Sequence, residues 1–206
     1  MSRAGNLDCA CLPGVGLVER DAWERLFPGE VEGYDYYRAC ESAPPPAFTL
    51  GAVTVRRDGR LIAAAPTFRL VYRLDTPLQG RLRGLGEWLH RMLPRLVAMP
   101  ILGLGSPLGD RCHLGFDPEL SADERRAAFA AMLAGLDQEA ARHHARVIAV
   151  KDLAAREAEP LADVVRPLGF TRISSLPVAT LELPFADETA YLASLSAATR
   201  KDIRRK

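Results

Sequence analysis

The chain has 206 residues, 48% of them hydrophobic and 26% charged, with a net charge of +1. That composition supports a buried core without disulfide or metal staples and excludes extensive disorder. No run approaches the roughly 18 uninterrupted apolar residues of a membrane span. Residues 1–6 lack the apolar stretch of a secretory signal. Charge is uneven: residues 200–206 carry +4, which leaves −3 on residues 1–199, so no nucleic-acid partner is expected. The four cysteines, Cys9, Cys11, Cys40 and Cys112, form no C-x-x-C pair and read as reduced thiols of a cytoplasmic protein. No metal is expected. Cys9 and Cys11, read as part of a loose N-terminus, offer two ligands where zinc takes about four.

In chain order, Asp21 is placed to cap a short helix through Trp23 and Leu26 that stops near Pro28-Gly29. A second short helix covers 34–41, and Ala43-Pro44-Pro45-Pro46 forces an extended connector after it. Residues 48–56 and 60–74 read as strands joined by Arg57-Asp58-Gly59, where Asp-Gly supplies the positive φ of a tight hairpin. Pro66 predicts a bulge or a sheet edge in the second strand. A helix over 87–96, kinked at Pro94, precedes a short apolar strand over 97–104. Ser121-Ala122-Asp123-Glu124 is a capping box, and Phe129, Met132, Leu133, Leu136 and Ala140 follow at helical spacing. That helix ends in Arg142, His143 and His144, which suit the negative end of the helix dipole.

A buried-type strand over 146–150, a helix over 157–168 closed by Gly169, and short strands over 170–173 and 178–183 come next. Asp187 opens a further helix, and Ser196 caps a last one. The expected fold is α/β in the mixed sense: a central sheet, partly antiparallel, with helices on both faces.

Particular strings sharpen this order. They are Tyr72-Arg73-Leu74-Asp75-Thr76-Pro77-Leu78-Gln79, Gly105-Ser106-Pro107 before Arg111-Cys112-His113-Leu114-Gly115-Phe116, and Val150-Lys151-Asp152-Leu153. The end of the chain adds Leu183-Pro184-Phe185, Tyr191 to Ser196, and Thr199-Arg200-Lys201-Asp202-Ile203-Arg204-Arg205-Lys206. From about residue 20 onward the chain resembles bacterial GNAT-superfamily N-acyltransferases of the CelD/Fem-like group, in which two GNAT-like halves lie in tandem. It differs in an extra helix near residue 90 and in lacking a clear first strand. The resemblance implies a GNAT-like N-terminal domain over 1–185. It also implies that 186–206 is a helix opening a second GNAT-like domain, on which the first would pack. It further implies transfer of an acyl group from acetyl-CoA or another acyl-CoA to a small-molecule or peptidyl amine. The alternative is a non-catalytic GNAT-like substrate-binding or scaffolding module.

The catalytic base is not identified in the sequence. Arg81, Gly84 and Gly86 match the GNAT pyrophosphate-loop pattern, in which N–H groups at a helix start cradle phosphate. They precede the 97–104 strand, however, whereas the family's loop follows it. Ser106, Arg111 and His113 lie in a glycine-rich stretch after a strand end, where open sheets place ligands. Arg111 would hold an anion and His113 would act near neutral pH, the alternative being a structural loop with a satisfied histidine. Cys112 would need a positioned base to carry an acyl group. Lys151 with Asp152, and Arg73 with Asp75, flank strand ends as substrate contacts or as plain ion pairs. Trp23, Tyr34, Tyr36 and Tyr37 read as packing between two short helices, with a substrate cleft as the alternative.

Overall fold

The computed structural model describes residues 6–73, 98–174, 182 and 184–205. Expectations for Asp75, for Arg81, Gly84 and Gly86, for the helix over 87–96 and for most of the 178–183 strand fall outside those residues. Contacts divide the chain into two compact units, Met1–Ile173 and Ser174–Lys206.

The first unit is a mixed sheet with helices on both faces. Its strands are β1 (Leu7–Leu12), β2 (Phe48–Arg57), β3 (Arg60–Arg73), β4 (Ala98–Leu104), β5 (Gly115–Phe116) and β6 (Val147–Val150). They lie in the order β1-β2-β3-β4-β6, with β5 paired to β3. All pairs are antiparallel except β4–β6, which is parallel. The parallel pair requires a crossover, and a single long helix, α3 (Ala122–Arg142), supplies it. Helices α1 (Arg20–Leu26) and α2 (Tyr34–Ser42) precede β2. Short turns α4 (Ala155–Ala158) and α5 (Ala162–Val165) follow β6.

Strand alternation divides the core in two. Val53, Val55, Ala63 and Ala65, with Leu102 and Leu104, pack on Phe129, Met132 and Leu136 of α3. Ala52, Ala64 and Leu61 face the other way, toward Trp23, Leu26, Phe27 and Tyr37. Burying each large side chain contributes about 1.5–3 kcal/mol. The alanines keep the strands thin where helices approach from both sides. The hairpin turn forms as expected, with Asp58 at φ 50° and Gly59 at φ 82°. The capping box is also present: Ser121 accepts from Glu124 N–H, and the Glu124 carboxylate accepts from Ser121 N–H.

Several expectations are corrected. There is a first strand: Leu7–Leu12 pairs along its whole length with β2. Cys9 and Cys11 therefore sit in the sheet, against Gly135 of α3, and not in a loose terminus. The N-cap of α1 is Glu19, with Asp21 in the first turn. Pro66 is neither at an edge nor at the bulge, which falls at Val55/Arg56. It lies where the neighbour of β3 changes from β5 to β4, so its missing N–H falls in a break in the ladder. The 157–168 helix is broken into α4, α5 and two 3₁₀ turns, each turn with a proline (Pro160, Pro167) near its start. Residues 170–173 form no strand.

The second unit contains α6 (Glu188–Ser194), capped by Asp187, and α7 (Ala197–Ile203), capped by Ser196. One guanidinium nitrogen of Arg200 donates to the carbonyls of Leu192, Ala193 and Leu195, covering the open end of α6.

Candidate functional site

The C-terminal ends of β4 and β6 lie side by side, and the loop from Gly105 to Leu114 folds across them. Cys112 N–H donates to Asp152 O at 3.0 Å, and Lys151 Nζ donates to Gly109 O at 3.0 Å. Ser106, Arg111, His113, Lys151 and Asp152 are thus brought to one end of the sheet. Arg73 ends β3 opposite Ala98, six residues beyond Thr67 and roughly 20 Å along the strand from it.

His113 is the centre of this end. It is 4% exposed, and both ring nitrogens are engaged. Nδ1 meets the Tyr37 hydroxyl, and Nε2 lies 3.1 Å from Glu32 and 4.0 Å from Glu30. Arg111 pairs with Glu30. Tyr37 comes from α2, which turns it inward against Trp23 and Tyr36 in edge-on contacts. Ser106, 2% exposed, accepts from Leu108 N–H at 3.2 Å.

The direction of these bonds follows from Glu32. A carboxylate only accepts, so His113 Nε2 carries the proton it donates. Burial pushes the His113 pKa down, against the pull of Glu32 and Glu30, so the ring is neutral and Nδ1 is an acceptor. Tyr37 must therefore donate to Nδ1. Burial also raises the Tyr37 pKa, with the Glu32 charge adding to the effect, so the phenol keeps its proton. The result is a directed chain, Tyr37 to His113 to Glu32. Tyr37 and Ser106 both line a small cleft, shared with Val15, Glu41, Leu50, Pro66 and Thr67.

The remaining candidates are more constrained. Cys112 is 3% exposed, its thiol lies 3.9 Å from Leu104 O, and burial pushes its pKa up to about 12. It has no thiolate character to act as a nucleophile. Lys151 pairs with Asp152. His143 is the C-cap of α3 and sits 3.0 Å from Glu139. Among the described residues no cluster of three or more metal-ligating side chains is found. Trp23 and Tyr37 pack between α1 and α2 as expected, and Tyr37 also faces the cleft. The Tyr37–His113–Glu32 grouping escaped the sequence reading, because its members are 76 and 81 residues apart and no local motif links them.

An acyl-CoA loop of the kind the resemblance implies needs free N–H groups after β4 and at the start of the next helix. Several of those groups are used. Gly105 donates to Pro66 O, Cys112 to Asp152 O, Asp117 to Ile62 O and Leu120 to Asp117 O. Glu119 N–H goes to the Asp117 carboxylate. At the α3 start, the Glu124 carboxylate holds Ser121 N–H, and Asp123 adds a second negative charge in the first turn. Nearby Arg57 and Arg60 are paired with Glu124 and Asp117, each at 2.7 Å. The described residues after β4 do not fit a pyrophosphate.

No protein-family profile matches the chain, and no curated protein matches it. Among solved structures the chain is similar to a ribosomal-protein-alanine N-acetyltransferase from Brucella melitensis biovar Abortus 2308. The identity is 13% and the TM-score 0.47, over 85% of this chain and 99% of that one. It is also similar to the aminoglycoside N-acetyltransferase AAC(6')-Iy in complex with CoA, at 14% identity and TM-score 0.49 over 89% and 99% of the two chains. A third is an aminoglycoside acetyltransferase from an uncultured soil metagenomic sample in complex with sisomicin. It is 11% identical with TM-score 0.48, over 86% of this chain and 96% of that one.

Proposed function

We propose that this chain is the acceptor side of an acyl-CoA-dependent N-acyltransferase, with the CoA thioester held by a second GNAT-like unit. The resemblance of the sequence to tandem GNAT N-acyltransferases supports the reaction class. In that reaction an amine nitrogen attacks the thioester carbonyl, the C–S bond breaks, the thiolate of CoA leaves, and the nitrogen loses a proton. The observation that carries the assignment of sides is the state of the loop after β4. Several of its N–H groups are bonded within the chain, and the α3 start carries Asp123 and Glu124 in its first turn, with the Glu124 carboxylate holding Ser121 N–H.

Calorimetric titration tests this. Residues 1–206 should show no binding heat with acetyl-CoA at concentrations up to about a hundred times those that saturate a micromolar site. The same chain joined to a second GNAT-like domain should bind acetyl-CoA and release free CoA thiol when an amine is added. Micromolar binding by residues 1–206 alone overturns the assignment of sides. A joined protein that binds no acyl-CoA overturns the reaction class.

A further inference from the structure

We propose that the face of the sheet opposite α3, along the paired ends of β3 and β4, is the docking surface for residues 85–96 of the same chain. The proposal is independent of the acyl-transfer reading. Leu102 and Leu104 of β4, with Ile148 and Val150 of β6, pack toward α3. Strand alternation turns the residues between them to the opposite face. There the register sets six apolar side chains in one patch. Phe48 lies opposite Leu70, Leu70 opposite Ile101, Ile101 opposite Val147, and Tyr72 opposite Met99. None of the six belongs to either core cluster. Helices α1 and α2 cover this face only at its other end, over Ala52, Leu61 and Ala64, and α5 packs on the α3 side. Tyr72 is 43% exposed, and the other five are partly exposed. A contiguous apolar patch of this kind marks a surface that takes a partner.

The partner follows from where the chain leaves and re-enters the sheet. Arg73, the last residue of β3, lies opposite Ala98, the first of β4. Residues 74–97 are therefore tethered at both ends beside Tyr72 and Met99. Such a tether gives an effective concentration on the order of millimolar, against which a second copy would have to compete. The sequence of the segment complements the face. Leu85, Trp88, Leu89, Met92, Leu93 and Leu96 fall on one stripe at helical spacing, and Glu87, His90, Arg91 and Arg95 fall on the other side. A helix over 85–96 would be roughly 18 Å long. The patch runs roughly 13 Å along β3 from Tyr72 to Phe68. With Leu96 close to the start of β4, the helix would run back along the patch. Residues 74–84, which extend to roughly 36 Å, are long enough to reach its start.

The chain holds two tryptophans, Trp23 and Trp88. Trp23 is buried in the core on the α1 and α2 side, so it reports folding independently of the patch. The full chain labelled with fluorotryptophan should give two fluorine resonances, that of Trp88 being identified by its loss in Trp88→Phe. The Trp88 resonance should lack the shift that an exposed fluorotryptophan shows between water and deuterium oxide. It should move in Tyr72→Ser and in Phe48→Leu while the Trp23 resonance stays in place, and it should not change on dilution. The proposal is overturned if Trp88 shows the full solvent isotope shift while Trp23 reports a folded chain. It is equally overturned if Trp88 is protected but responds to neither substitution. Protection that is lost on dilution, with the mass by light scattering falling from dimer to monomer, would assign the face to a second copy and overturn it as well.

Discussion

At the scale of single residues, His113 shows how position sets chemistry. A histidine at the surface titrates near its ordinary value of 6.5; this one is pushed lower by burial. Its folded-state pKa is depressed, so its contribution to stability is complete above the unfolded value and declines as pH falls through 6.5 toward the folded value. Protonation would also take away the acceptor that Tyr37 uses. The urea midpoint should therefore drop between pH 7.5 and pH 5, and His113→Gln should flatten that part of the profile. A wild-type midpoint that is constant over this window contradicts the assigned tautomer. Gly103 makes a different point. It sits directly opposite Phe68 in the β3–β4 register, and a Cβ there would lie 2.2 Å from the Phe68 ring, which is itself edge-on to Phe48. Gly103→Ala should destabilise by about 1–3 kcal/mol, read as a lower midpoint in denaturant. No feature of the sequence marks Gly103 as a packing glycine, because its partner is 35 residues away.

At the scale of elements, what was legible depended on how local the cause is. The capping box, the Asp58-Gly59 turn and the Asp187 and Ser196 caps each act within four residues, and each is present as read. Ser121→Ala removes the acceptor for Glu124 N–H and should cost about 1 kcal/mol, measurable as a shift in thermal midpoint. The broken 155–168 segment was also legible in principle, since Pro160 and Pro167 each remove an N–H that a continuous helix would use. β1 was missed for another reason. Leu7-Asp8-Cys9-Ala10-Cys11-Leu12 has few strand-favouring side chains, and its six pairings are all to β2, 40 or more residues on. Tertiary pairing outweighs local propensity there.

At the scale of the whole molecule, the sheet combines two kinds of connection. One is the β2–β3 hairpin, whose strands meet across a two-residue turn. The other is the parallel β4–β6 pair, which closes only after all of α3 has been placed. Fold class was readable because it follows from this order of elements. The candidate site was not, because it is assembled from α2, the loop between α1 and α2, and the loop after β4. The same contrast has a kinetic consequence. Closing the hairpin loop is entropically cheap, whereas closing the crossover requires ordering more than 40 residues before any β4–β6 contact forms. The hairpin should belong to the folding nucleus, and the parallel seam should form after the transition state. Gly59→Ala strains a position at φ 82° and should mainly slow refolding. Val150→Ala, at the seam, should leave refolding nearly unchanged and speed unfolding instead. Stopped-flow chevrons of the two variants separate these outcomes, and the reverse pattern would place the nucleus at the crossover. If the hairpin does lead, a nascent chain emerging from the ribosome gains its first pairing once β3 is out, before His113, which joins Tyr37 to Glu32, has emerged.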